Sequence, residues 1–265
     1  MAPLIKACIK SLNWVDAIFL YDDLSTDGTA EAAVKASTVP IHIERSTLNE
    51  VAFKTSELIA RNYIIKKAFK VLDVDTMVLA DADELFSASL KGKIENAFKL
   101  KGTDSMAFSI WHLYSESEYF HIWEDTINGI KMIDPHIRVI RKGKQFTPLF
   151  KDGGHPIIPA TRNTACLHGP YHFHLKYFYK STLPNYSLFF LPERFQRSDA
   201  KPYLRKLPFQ LPRDISFALK EINWDKLPTY KATPNHGVKR VKFKKTSDAL
   251  IHPKYYSSND GLEYA

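Results

Sequence analysis

Apolar residues along the first hundred positions fall into two spacings. From Leu4 to Leu12 they recur three and four apart, the period of a helix with one buried face, and "TAEAAVKAS" and a longer stretch from about Glu50 to Lys70 repeat that pattern. Between them lie short continuous apolar runs, "AIFLYD" (17–22), "IHIE" (41–44) and "TMVLAD" (76–81), which predict buried strands. Helix and strand in alternation predict an α/β fold, with a mostly parallel central sheet flanked by helices on both faces.

Beyond residue 147 the pattern changes. Twelve of the 15 prolines lie at Pro148 or later, together with most of the aromatic residues. Proline at that density breaks helices and interior strands, so loops, edge strands and short helices are expected there. A soft boundary near 150 divides an α/β core (1–150) from a Pro- and aromatic-rich extension of the same domain (151–265). "SFALKEI" (216–222) is its clearest helix.

Composition narrows the class. Hydrophobic residues at 45% and aromatics at 13% are globular values and exclude a disordered chain. The 2 cysteines form neither a disulfide framework nor a Cys-x-x-Cys pair. No apolar run approaches the ~20 residues that span a bilayer, so a cytoplasmic protein, at most peripheral at the membrane, is expected. Net charge is +8, and residues 201–265 hold 13 Lys and Arg against 6 Asp and Glu. Their densest stretch, "KRVKFKK" (239–245), is either a solvated face or a weak contact for an anionic lipid surface. Nucleic acid is the less favoured partner, because no zinc or helix-turn-helix signature accompanies the charge.

The candidate chemistry lies where the strands end. In an open parallel sheet, ligands bind outside the carboxyl ends of the strands. "FLYDDLSTDGT" (19–29) ends one strand in Asp22 and Asp23, and "VLADADELF" (78–86) ends another in Asp81, Asp83 and Glu84. A strand-end carboxylate can accept hydrogen bonds from a nucleobase or ribose, and two spaced Asp-x-Asp can face a hard divalent ion such as Mg²⁺ or Mn²⁺. Three acids directly after "MVLA" repel one another without a cation, and no basic residue stands beside them in the sequence. Asp27 is read as a cap for the following helix. "VLDVDTMV" (71–78) imitates the nucleophile motif of haloacid dehalogenase-like phosphatases, but helical periodicity precedes Asp73 where that motif needs a strand.

These two stretches resemble the family two, GT-A-type glycosyltransferases, in which a strand-end Asp and a Ser-Thr-Asp-Gly-Thr turn precede an Asp-x-Asp strand. The resemblance covers about residues 3–90, and to 180 more loosely. It implies a GT-A fold, a nucleotide-diphosphate sugar as donor (UDP-linked is the expectation) and inverting transfer to a glycan, lipid-linked or protein acceptor. It further implies that Asp22 or Asp23 contacts the nucleoside, and that Asp81 and Asp83 hold the Mn²⁺ or Mg²⁺ and the diphosphate. The family begins with a strand ahead of the first helix, whereas this chain opens on "MAPLIKACIKSL", which reads as the helix. A catalytically degenerate nucleotide-binding module of the same fold is the alternative.

An inverting transferase needs a general base for the acceptor hydroxyl. Asp152 in "LFKDGGHP" is the first candidate, since two glycines follow it and a similar Lys-Asp stretch recurs after an Arg-rich strand in some family members. Glu124 and Asp125 in "IWEDT" are the reserve, and Asp134 was weighed with them. In "GPYHFHLKYFYK" (169–180), His172 and His174 share a face if the segment is extended. Many GT-A enzymes complete the metal shell with a late histidine, and the resemblance makes His172 the closer match. Trp111, His112 and Tyr114 are either sugar-stacking residues or core.

Overall fold

The computed structural model describes residues 2–46, 57–100, 102–148, 156–175, 178 and 203–224. Helix α1 (Ala2–Ser11) buries Leu4, Ile5, Ala7, Cys8 and Ile9. Strand β1 (Ile18–Asp22) follows, then α2 (Thr29–Ala36), β2 (Ile41–Arg45) and α3 (Glu57–Leu72). Next come β3 (Thr76–Val78), β4 (Glu84–Phe86) and α4 (Leu90–Lys99). A strand-rich stretch succeeds them: β5 (Ser105–Leu113), β6 (Glu118–Phe120), β7 (Glu124–Ile127), β8 (Ile130–Ile133) and β9 (Pro135–Arg141). The described chain ends with β10 (Thr147–Pro148), β11 (Pro156–Ile157), β12 (Thr164–His174), β13 (Leu204–Lys206) and α5 (Arg213–Glu221).

The main sheet has 7 strands, with β5 at its centre and buried at every position. On one side β5 pairs with β9 along its first half and with β6 at its end; on the other it pairs with β12, which also holds β4. Strands β3 and β13 extend the sheet from β9 and β6. Of these pairings only β5 with β12 is parallel, so the expected mostly parallel central sheet is corrected to a mixed, largely antiparallel one. The parallel β1–β2 pair forms a separate two-stranded sheet. The physical reason is that a strand buried on both faces reads as a continuous apolar run whichever way its neighbours point.

Among the described residues, three large apolar clusters and a small one at Tyr114 and Phe120 fill the spaces around the sheet. One joins α1 and α5 to the sheet through Leu4, Ile215 and Leu219 against Leu85, Trp111 and Phe173. A second packs Ile5, Cys8 and Ile9 of α1 with Ile18, Ala33, Phe86, Phe108 and Val139. The third sets Ile65 and Phe69 of α3 against Ala107, Met132 and Ile140. Both the segment before residue 150 and the segment after it supply strands to the main sheet. No helix among the described residues is long and apolar enough to cross a membrane.

Candidate functional site

Strand β1 delivers Asp22 to a tight turn. The carboxylate is buried, its Oδ1 accepts the Ser25 N–H at 3.0 Å, and Arg45 Nε stands 3.5 Å from Oδ2. Asp22 therefore shapes the loop, while half-buried Asp23 follows it. Leu24 sits at φ 65, a left-handed conformation that a bulky side chain rarely adopts, so this strand end holds local backbone strain. Asp27 does not cap α2: the N-cap is Gly28 at φ 76, and Asp27 takes the Thr29 hydroxyl and the Ala2 N–H instead.

The Asp81 loop lies across α3 from that turn. Tyr63 and Lys67 of α3 reach Glu44 on β2, and Tyr63 meets Tyr21 edge-on, while Arg61, half a turn away on the same helix, reaches Asp81. Asp81 is held between two guanidiniums, with Arg61 Nη1 2.9 Å from Oδ1 and Arg138 Nη2 3.1 Å from Oδ2. Burial alone would raise its carboxyl, but Arg61 and Arg138 hold it well below the usual carboxylate range. Glu84, fully buried, binds Arg138 and accepts the Asp81 N–H at 3.0 Å. Burial again opposes the charge, and Arg138 together with His172 outweighs it, bringing Glu84 down to about 2. The expectation that this acidic run lacks a basic neighbour is thus corrected, because both arginines arrive from elements distant in sequence.

His172 points into the core. It stacks on Phe86 with ring centroids 4.5 Å apart and meets Phe108 edge-on. Its Nε2 is 3.2 Å from Glu84 Oε1, yet neither ring nitrogen makes an aligned hydrogen bond. Burial lowers its pKa, favouring the neutral ring. The imidazole that meets the Asp-x-Asp loop is His174, with Nε2 3.2 Å from Asp83 Oδ2. The sequence placed both histidines on one face; His172 lies in the core beside Glu84, and His174 is the histidine beside Asp83.

From His174 a chain of polar groups runs inward. Its Nδ1 is 2.9 Å from Nδ1 of His112, its cross-strand partner on β5. His112 Nε2 lies 2.5 Å from Asp134 Oδ2, and Asp134 Oδ1 also accepts from Trp123 Nε1 at 2.5 Å and lies 3.2 Å from His136 Nε2. Burial would raise Asp134, but His136 and His112 hold it well below the ordinary range. Asp134 is itself at φ 38, in the left-handed region. The sequence raised His112 only as a stacking or core residue, and the hydrophobic setting of "SIWHLYSESEYF" gave no sign of this chain.

Among the other candidates, Glu124 pairs with Lys131 across the β7–β8 hairpin. Asp125 is buried, with Oδ1 on the Thr126 N–H at 2.7 Å and Oδ2 without a hydrogen bond, and burial raises its pKa. Trp111 belongs to the core, its indole N–H donating to the Gly169 carbonyl at 2.7 Å. Asp73, at φ 49, follows helix α3 and not a strand, which removes the phosphatase motif's required context. Asp152 and the basic "KRVKFKK" segment lie outside the described residues.

No three His, Cys, Asp or Glu side chains among the described residues converge to hold a metal by themselves. Asp81, engaged by two guanidiniums, does not fit a cation ligand. Asp83 and His174 do: the pair is part-exposed, at 25% and 17% of the side chain, and joins a hard oxygen to an imidazole. No protein family, curated protein or solved structure matches this chain.

Proposed function

We propose that the chain is a glycosyltransferase that takes its sugar from a nucleotide diphosphate, with a UDP-linked donor and inverting transfer as the working assignment. The observation that carries the reading is the placement of two acidic strand-end loops, Asp22–Asp23 and Asp81–Asp83, on either side of helix α3, joined through Tyr63 and Arg61 of that helix. Asp22 closes a strand of the parallel β1–β2 pair, the setting in which ligands gather at carboxyl strand ends, and the β3–β4 loop brings Asp81 to the same helix.

In this reading Asp23, on the turn shaped by Asp22, faces the nucleoside, and Asp83 with His174 meets the diphosphate end. Sites for Mg²⁺ use one or two carboxylates and fill the remaining positions with water and substrate phosphates, so two protein ligands suffice. A Mn²⁺ or Mg²⁺ ion held by Asp83 and His174 would neutralise charge developing on the departing diphosphate. Arg61 and Arg138 fix Asp81 and the backbone of the loop that carries Asp83. Asp152 is the assigned base, and Asp125, with its unpartnered buried oxygen, is the candidate among the described residues.

A second reading, a nucleotide-binding module of the same origin without transfer, draws support from the neutralisation of Asp81 by two arginines. The two separate in one series of measurements. Thermal shifts with UDP, GDP and their sugars, with and without Mn²⁺, register any ligand that binds only the folded state. Donor hydrolysis or transfer on top of a Mn²⁺-dependent shift supports the transferase; a shift without turnover supports the binding module. No shift with any nucleotide overturns both.

A further inference from the structure

The inward chain Asp83–His174–His112–Asp134 engages both ring nitrogens of each of its two histidines, and this narrows where their protons lie. Asp134 is an ionised acceptor, receiving the Trp123 indole N–H on Oδ1, so the group facing its Oδ2 must donate: His112 carries its proton on Nε2. When His112 is neutral, its Nδ1 turns a lone pair toward Nδ1 of His174, 2.9 Å away, and His174 donates there. That leaves a lone pair on His174 Nε2 facing the Asp83 carboxylate at 3.2 Å. Two acceptors at that distance call for a positive charge, supplied either by one further proton on the histidine pair or by a metal ion held between His174 and Asp83.

We propose that buried Asp134 and His112 are positioning residues which set His174 in the Nδ1–H tautomer, so that its Nε2, together with Asp83, is presented to a divalent cation. The inference rests on the proposed cation site and adds to it the two residues that aim it. The nitrogen of a histidine that binds metal is decided by what the other nitrogen is bonded to, and a buried carboxylate at the far end makes the ring a better donor. The backbone agrees with this role. Asp134 keeps a left-handed φ of 38 at the β8–β9 junction, where its side chain collects Trp123, His112 and His136. Strand β12 breaks register with β5 between Leu167 and His172, and this irregularity, at Gly169 and Pro170, resets the strand before His174 comes opposite His112.

The test measures Mn²⁺ affinity of the full chain by the paramagnetic signal of free Mn²⁺, and the imidazole tautomers by ¹⁵N NMR of the metal-free protein. His112→Leu removes the acceptor for His174, and affinity should fall about 10–100-fold, the usual effect of losing such an outer partner. His112→Asn puts an amide oxygen near the position of Nδ1 and should recover most of that loss. In the wild type His174 should show the Nδ1–H form, and in His112→Leu a mixture of both forms. Should His112→Leu fail to fold, Asp134→Asn decides the same question, since it keeps the shape and removes the charge. Undiminished Mn²⁺ affinity in His112→Leu, or in Asp134→Asn, overturns the positioning role while leaving the cation site standing. Wild-type protein that binds no Mn²⁺, or binds it equally well as Asp83→Asn, overturns the cation site and the inference with it.

Discussion

Arg138 joins two carboxylates, Asp81 and Glu84, from a side chain only 9% exposed, while Glu84 is at 0%. Removing one partner of a buried ion pair leaves a charge with no compensation. Arg138→Met should therefore destabilise the fold by about 3–5 kcal/mol, read from urea unfolding at neutral pH. The pH dependence has a definite sign. Glu84 has a folded pKa depressed to about 2, so it binds fewer protons folded than unfolded, and its contribution is present above its ordinary carboxyl range. As pH falls from about 4.5 toward 2, that stability is lost. Wild-type protein should weaken across this window, and Arg138→Met should weaken less, because it has lost the ion pair already. A wild-type stability that is flat across the same window would contradict the assignment. At this scale the sequence named Asp81, Asp83 and the histidine pair, because a strand end and a two-residue spacing are local. The arginines and the polar role of His112 were not legible, since Arg61 meets Asp81 by the packing of helix α3, and Arg138 and His112 meet their acids through strands paired across tens of residues.

At the scale of elements, the short strands and helices of the first hundred residues follow the apolar periodicity closely. β1 and β3 lie inside the predicted runs, β2 runs one residue past its run, and α1, α2 and α3 follow the helical stretches. Strand direction followed for β1 and β2, which are parallel, and failed for β3, antiparallel to β9, and for the main sheet, whose central β5 is buried on both faces and shows no alternation to mark its direction. One local signal for antiparallel pairing was nonetheless present. Asn128 and Gly129 connect β7 to β8 with φ of 49 and 81, the two left-handed residues of a tight hairpin turn. Asn128 also donates from Nδ2 to the carbonyls of Thr161 and Thr164, tying the hairpin to the start of β12. Gly129→Ala forces a Cβ into that left-handed position and should cost about 1–2 kcal/mol by chemical denaturation. Nothing lies within 4 Å of the added Cβ, so the cost is conformational and not steric. A neutral result would mean that the turn changes type without loss.

For the whole molecule, the boundary near residue 150 is a change of composition, and strand β12, which follows it, pairs with β4 and β5, which precede it. β12 lies parallel to β5 along one edge and antiparallel to β4 along the other, and it is the only described partner of β4. It brings Phe173, with Leu175 just beyond, into the core at 0% exposure, against Leu85, Trp111 and the α1–α5 cluster. Each such side chain is worth about 1.5–3 kcal/mol of burial, and folded domains have only about 5–15 kcal/mol in total. A chain ending at residue 150 would lose these contacts, the ladder along one whole side of β5, and helix α5. It would also lose His174, and with it half of the Asp83 pair. Such a chain should keep helical far-UV circular dichroism from α1, α3 and α4 but lose near-UV signal and cooperative unfolding, the behaviour of a collapsed state without fixed packing. Adding Mn²⁺ and UDP should not restore the transition. A sharp, two-state unfolding curve for that shortened chain would show instead that the core before residue 150 is self-sufficient and that β12 is an addition to a sheet already closed without it.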